Sequence, residues 1–194
     1  MASSLDASPG AAAGGPEGAS NESSASAACE PAPNSPDWLS KFPLQVVDGK
    51  IVDAQGQRFR LLGVNWYGAS DVEHTVGGLR RRKLIDIART VSEMGFNVVR
   101  LPFSNEMLRE TTVVKEGAID YDLNPELVGM TPLQVLDAVV DALGSCNIAV
   151  VPNNHCCFGA WGGDPDGNGL WWNDQRGYTE GGFVEDWCTI ARRY

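Results

Sequence analysis

Polar or aromatic side chains close three runs that otherwise read as buried core: Asn65-Trp66, Arg100-Leu101-Pro102 and Asn153-Asn154-His155. In parallel α/β proteins, binding and catalytic groups come from strand ends and the loops after them, so this recurrence points to a site. Arg100 is the most demanding member. A guanidinium in an apolar strand needs a carboxylate or several carbonyls, because burying an unpaired charge costs on the order of several kcal/mol. Trp66 and His155 each have a plainer alternative, as a packed ring and as a hydrogen-bonded core histidine. Residues 156–178 add Trp161, Trp171, Trp172 and Tyr178 among Gly, Asp and Asn. Long irregular loops in compact domains are usually functional or disordered. Aromatic rings beside amides and carboxylates suit sugars, whose C–H faces stack on the ring while the hydroxyls bond the polar groups. The competing explanation is a loop whose tryptophans only pack over the rim of the domain.

Other chemistries fit less well. His155, Cys156 and Cys157 are adjacent, and alternate side chains of an extended strand point apart, which disfavours a zinc site there. Asp164-Pro165-Asp166-Gly167-Asn168-Gly169 meets the first half of a calcium-loop pattern. Gln175 stands at its twelfth position in place of the bidentate Glu, so a turn rich in Asx and Gly explains it better. Neither a metal nor a cofactor is expected. The net charge of −10 argues against a nucleic-acid partner. The densest basic run, Arg80-Arg81-Arg82-Lys83, reads as the solvated start of a helix. No apolar run is long enough to span a bilayer, so no membrane partner is expected. The five cysteines are an odd number without CxxC spacing. A disulfide or two would fit an exported protein, with at least one thiol left over.

The elements that must position these groups begin after residue 36. In residues 1–36, Ala, Ser, Gly and Pro fill 27 positions, with four acidic residues and no Lys or Arg. Such a segment cannot bury enough apolar surface to offset chain entropy, so a disordered tail is expected. It has neither the basic start nor the Leu-rich stretch of a signal peptide. Its Asn21-Glu22-Ser23 sequon matters only on the secretory route. Residues 37–194 read as a folded domain. Val46-Val47 and Ile51-Val52 flank Asp48-Gly49-Lys50 as a β-hairpin, and a second turn at residues 53–56 leads into a buried strand over 59–66. Leu84, Ile87, Ala88, Val91 and Met94 have a helical period that ends at Gly95. Residues 96–103 read as a second buried strand. Thr131-Pro132-Leu133-Gln134 starts a capped helix that points Leu133, Leu136, Val140 and Leu143 inward and ends at Gly144. Residues 148–151 read as a third buried strand, and Phe183, Val184, Trp187, Cys188, Ala191 and Tyr194 as one face of a last helix. Three strand–helix repeats indicate a parallel α/β protein. A doubly wound nucleotide-binding sheet would place a GxGxxG turn after the first strand. Asn65-Trp66-Tyr67-Gly68 stands there instead.

Taken in order, these motifs resemble glycoside hydrolase family 5, the cellulase kind, over roughly residues 44–194. Gly49-Lys50-Ile51-Val52-Asp53 and Leu62-Gly63-Val64-Asn65-Trp66 are similar to the family's opening hairpin and first strand. Residues 95–104 (GFNVVRLPFS) resemble its second strand. Asn124-Pro125-Glu126-Leu127 follows in the expected place, and Val150-Val151-Pro152-Asn153-Asn154-His155 is similar to the Asp-Asn-His end of the third. Asp166-Gly167-Asn168-Gly169-Leu170-Trp171-Trp172 extends the likeness.

The resemblance implies an α/β fold that is part of a (β/α)8 TIM barrel, with three βα units after an N-terminal β-hairpin. It implies a retaining β-glycosidase whose two glutamates stand about 5–5.5 Å apart. Arg100 would hold the nucleophile ionised, with His155 and Asn154 beside the cleaved bond. Asn65, Trp66, Trp171 and Trp172 would contact a β-linked oligo- or polysaccharide. Two departures accompany it. Asn153 stands where the family commonly has Asp, and the strands that carry the catalytic glutamates are not among the three. Glu106, Glu110 and Glu126 lie on the loop after the second strand and take no catalytic role. The expectation is an enzyme fragment without hydrolytic activity alone. The competing readings are a non-catalytic carbohydrate-binding protein and a pseudoenzyme remnant. By analogy with the family, the location is extracellular.

Overall fold

A computed structural model describes residues 38–160 and 168–194. The expected disordered tail over residues 1–36, Trp161 and the first part of the calcium-like turn lie outside the described residues.

The chain opens with an antiparallel hairpin of β1, Gln45–Val47, and β2, Lys50–Val52. Asp48 and Gly49 both take positive φ, 49° and 70°. That is the turn whose twist matches a two-residue hairpin, and it accounts for the Asp-Gly pair. Trp38, Phe42 and Phe59 gather beside it, with ring centroids 5.5 to 6.3 Å apart.

Three parallel strands follow in the spatial order β3, β4, β5: Gly63–Asn65, Val98–Ser104 and Ala149–Cys156. Helix α1, Leu84–Glu93, joins the first pair, and α2, Pro132–Ser145, the second. Helix α3, Glu180–Arg193, comes after β5. In β4, Val99, Leu101 and Phe103 alternate onto one face and are at most 2% exposed. They pack with Leu84 and Ala88 of α1 and with Val135, Leu136, Val139 and Leu143 of α2. Arg100 lies on the opposite face of the strand.

Several expectations need correction. The first strand is three residues long, not eight, and Leu61 and Leu62 before it are exposed. Strand β5 is half-buried where a buried strand was expected. Both strands flank β4, so among the described residues each has an unpaired edge and only β4 has a partner on both sides. Met94 is exposed because α1 ends at Glu93. In α2, Val135 and Val139 are buried with Leu136 and Leu143, while Leu133 and Val140 are only half-buried. Helix α3 is rotated from the expected face. It buries Asp186 and Ile190, half-buries Phe183, Trp187 and Cys188, and leaves Val184, Ala191 and Tyr194 exposed. The polar partners of Asp186, described below, hold that face inward. The four basic residues 80–83 are exposed, but they form the turn before α1 instead of its first turn.

Lys83 at the N-cap of α1 makes no side-chain cap. Its place is taken by Asn124, fully buried and 40 residues away in sequence, whose Oδ1 accepts from the Leu84 N–H at 2.7 Å. The Nδ2 of Asn124 donates to the carbonyls of Leu79, Arg82 and Asp120 at 3.0–3.2 Å. One side chain therefore fixes where α1 begins. Replacing it (Asn124→Ala) should lower stability by about 2–3 kcal/mol, since buried carbonyls and a helix N–H lose their partner. The check is a lower urea midpoint at unchanged slope. Glu126→Ala, exposed in the next turn, should move it by less than about 0.5 kcal/mol.

Candidate functional site at the strand ends

Asn65 and Arg100 are register partners on adjacent strands. Arg100 Nη1 donates to Asn65 Oδ1 at 3.3 Å, and Nη2 lies 3.5 Å from His155 Nδ1. A guanidinium only donates, so where the two groups hydrogen-bond, Nδ1 of His155 is the acceptor. No carboxylate pairs with Arg100 among the described residues, contrary to the expectation for a buried guanidinium. Arg100 is half-buried, and its side-chain partners are the Asn65 amide and the His155 imidazole.

The register explains how His155 reaches Arg100. Phe103 pairs with Asn154 and Ser104 with Cys156, so His155 is an extra residue, a β-bulge. Bulges re-aim side chains at sheet ends. Here the bulge leaves His155 exposed and sends Cys156 and Cys157 into the interior. Their thiols part, Cys156 donating to the Ser70 carbonyl at 3.3 Å and Cys157 to that of Leu170 at 3.2 Å. Among the described residues no three His, Cys, Asp or Glu side chains gather as a metal site. Cys156, Cys157 and Cys188 are free thiols. Asn168, the described residue of the calcium-like run beside Gly169, bonds the Phe158 backbone in both directions at 2.9 Å.

Asn154 belongs to a network that the sequence pattern does not reveal. Its Nδ2 donates to Asn105 Oδ1 at 3.0 Å, and Asn105 Nδ2 donates to Asp186 Oδ2 at 2.6 Å. Arg109 completes it with two bonds of 3.0 Å to the same carboxylate. Asn105 and Asp186 are 2% and 5% exposed, so the network is buried. Its only sequence trace is an Asp in an apolar face of α3. Glu106 is also a structural residue: its Oε2 accepts from the Gly159 N–H at 2.6 Å and sits 3.8 Å from His74 Nε2. Glu110 and Glu126 are exposed.

The two aromatic groups divide. Trp66 is in the core at 8% exposure, and its Nε1 donates to the Gly77 carbonyl at 2.8 Å. This is the packing alternative of the two open for that ring. Trp171 and Trp172 are 42% and 36% exposed with centroids 4.4 Å apart. They end a row of rings that starts in the core. Phe103 meets Trp187 at 5.7 Å, Trp187 meets Phe183 at 6.5 Å, and Phe183 meets Trp171 at 5.4 Å.

Burial raises the acids of this region. It lifts the Asp71 carboxyl above its usual range, with Glu73 adding and the Ser70 hydroxyl and His155 opposing. Burial pushes the Cys156 thiol up from 9.0 to about 12, helped by Asp71 and Cys157. It pushes the Tyr178 hydroxyl from 10.0 to about 12, helped by Glu106.

Amide, guanidinium and imidazole groups stand at the ends of the parallel strands, and a pair of exposed indoles lies in the loop after β5. The family model for cellulases, glycosyl hydrolase family 5, matches residues 52–194. The chain therefore belongs to glycoside hydrolase family 5. An endoglucanase of Paenibacillus polymyxa is 33% identical over 145 residues, covering 75% of this chain and 34% of the relative. The major extracellular endoglucanase of Xanthomonas campestris pv. campestris is 34% identical over 148 residues, covering 75% and 28%. The crystal structure of that enzyme's catalytic domain matches with a TM-score of 0.65, over 75% of this chain and 39% of its own. A cellotetraose complex of an endocellulase from Pyrococcus horikoshii matches at 30% identity and TM-score 0.65, over 77% and 39%. The chain thus spans about a third of the length of the curated relatives it matches.

Asp186→Ala should destabilise the protein by about 3 kcal/mol, because it strips the buried Asn105 amide and the Arg109 guanidinium of their shared acceptor. Arg109→Ala should cost less, since that side chain is 42% exposed. Chemical denaturation of both variants checks the order.

Stability should also fall in alkali. The folded state holds the Cys156 proton more tightly than the unfolded chain. The stabilisation is complete below about pH 9 and is lost as the pH rises towards about 12. Urea midpoints measured across that range should decline, and less steeply in Cys156→Ala.

Proposed function

We propose that residues 37–194 form the first three βα units of a cellulase-type (β/α)8 barrel, preceded by a hairpin and by a disordered tail over residues 1–36. In this reading β3, β4 and β5 are consecutive barrel strands and their helix-free face is the barrel interior. The whole enzyme hydrolyses internal β-glycosidic bonds of a β-glucan with retention, outside the cell. The catalytic glutamates belong to barrel strands in the part of the relatives' length that this chain does not span.

The observation that carries the reading is Arg100 held between Asn65 and His155 at the strand ends, on the uncovered face of the sheet. Its protein partners there are only an amide and an imidazole, and an ionised nucleophile reaching it from a strand across the barrel would take up further donors. His155 and Asn154 line the adjoining position, Asn154 with its amide already oriented by Asn105. Trp171 and Trp172 offer exposed ring faces for the glycan chain. The P. horikoshii neighbour was crystallised with cellotetraose, which favours a β-linked glucan as ligand. Of the acids near the strand ends, Glu106 and Asp186 are engaged by Gly159, Asn105 and Arg109. Neither serves as an acid or nucleophile. This also bears on the alternative of a non-catalytic carbohydrate-binding protein: the paired indoles need no glutamate to bind a glycan.

The 194-residue chain should bind cellotetraose without releasing reducing sugar. The Trp171→Ala, Trp172→Ala double variant should weaken binding about tenfold or more, as loss of about 1.4 kcal/mol or more of ring stacking would. Calorimetric titration with a reducing-sugar assay on the same samples tests both halves. Turnover by the chain alone, or binding indifferent to both tryptophans, would overturn the reading.

A further inference from the structure

Both outer edges of the three-stranded sheet are open: among the described residues, β3 and β5 pair only with β4. Apolar side chains stand exposed beside each edge. Val151 in β5 is 47% exposed, and Leu61 and Leu62, just before β3, are 45% and 53% exposed. Unpaired N–H and C=O groups next to exposed apolar side chains form a template for another strand.

The charges beside the two edges are opposite in sign. Helix α2 packs against α1, and Arg193 and Tyr194 of α3 bond Asp137 of α2. So α2 is the middle helix, with α1 on the β3 flank and α3 on the β5 flank. Both outer helices start at the pole of the sheet where the strands end, because a parallel crossover returns the chain from there. For α3 this is fixed by Asp186, which bonds Asn105 directly after β4. On the β3 flank that pole carries Arg80, Arg81, Arg82 and Lys83, all exposed. The first acid of α1, Asp86, is already paired with Arg89 at 3.0 Å. On the β5 flank the same pole carries Asp174, Glu180 and Glu185, also exposed. Arg176 beside them is stacked over the Phe158 ring, 4.1 Å from its centroid. The chain has a net charge of −10, so the basic cluster is a local exception and not part of a general field. A copy displaced sideways, with its strands parallel and its helices on the same face, would set acidic flank against basic flank at one pole. The β5 edge of the first copy would then meet the β3 edge of the second. A two-fold arrangement of β5 against β5 would leave residues 80–83 without a role.

We propose that the 194-residue chain associates head to tail with a second copy of itself. The β5 edge and acidic α3 flank of one copy meet the β3 edge and basic turn of the next. Such a contact is heterologous: each added copy presents the same open edge again, so the assembly extends beyond a dimer. In the whole-barrel reading above, other barrel strands would cover these edges, and the association is a property of the 194-residue chain alone. It uses only the edges and their charges and does not depend on saccharide binding.

Sedimentation velocity over a concentration series of the parent chain and two charge-reversed variants is the test. The average mass of the parent should rise past that of a dimer. Association should weaken about tenfold or more when salt is raised from about 0.05 M to about 0.5 M, because screening shortens the reach of the flank charges. One variant carries Arg81→Glu with Arg82→Glu, the other Glu180→Lys with Glu185→Lys. Each alone should associate about tenfold or more weakly than the parent, since like charges then face each other. An equimolar mixture of the two should associate again, because each reversed flank meets its new opposite. That rescue separates a lost contact from a misfolded variant. A parent that stays monomeric at its highest soluble concentration, or an assembly that stops at a dimer, would overturn the proposal. So would a mixture that associates no better than either variant by itself.

Discussion

A carboxylate taken out of water must find hydrogen-bond donors within the protein, and the buried Asp186 finds three, one from Asn105 and two from Arg109. Much of the site depends on that arrangement. Arg109 and Asn105 lie on the segment after β4, so the bonds tie α3 to the end of the central strand. The same bonds leave Asn105 Oδ1 free to orient the Asn154 amide. They also set the rotation of α3, which brings Trp187 against Phe103 and Phe183 against Trp171. A single polar anchor thereby fixes an amide at the strand ends and an aromatic row that runs from the core to the surface. At the far end of α3, Arg193 and Tyr194 both bond Asp137 of α2, so the helix is held at two places.

The sheet supplies the complementary constraint. Strand β4 is enclosed because it has a partner on each side and helices over one face. Arg100 and Asn65 stand on the other face, and among the described residues the outer edges of β3 and β5 carry no strand partner. That asymmetry explains why the groups with chemical potential are accessible and why the outer strands are less buried than their apolar sequences suggest. It also explains why Arg100 reaches only an amide and an imidazole. The bulge at His155 belongs to the same geometry, since one inserted residue brings the imidazole to Arg100 and sends the following thiols inward.

Local rules made much of this readable in advance. The Asp48-Gly49 turn, the capping box of Thr131 and Gln134, the central strand through Arg100 and the spans of the three helices all follow from interactions between residues close in sequence. So do the motifs at the strand ends, because residue order places them where strands stop. Features that depend on distant partners were not readable. Asn124 caps a helix 40 residues away, Trp66 folds into the core when Trp171 and Trp172 do not, and a lone Asp in an apolar helix face acquires its donors from another loop. The length of β3 and the exposure of β5 were misjudged for the same reason: an apolar run shows that a strand wants burial, not whether neighbours are there to bury it.

The amino-acid sequence by itself thus determined the family, the order of strands and helices, and which side chains stand at the strand ends, since these depend on local pattern and residue order. Tertiary structure alone decided which of those side chains meet. Arg100 with His155, Asn154 with Asn105, Asn105 with Asp186, and Phe103 with Trp187 are contacts between residues tens of positions apart. The packing of α3 against the sheet and one β-bulge bring them together, and periodicity along the chain carries no record of either.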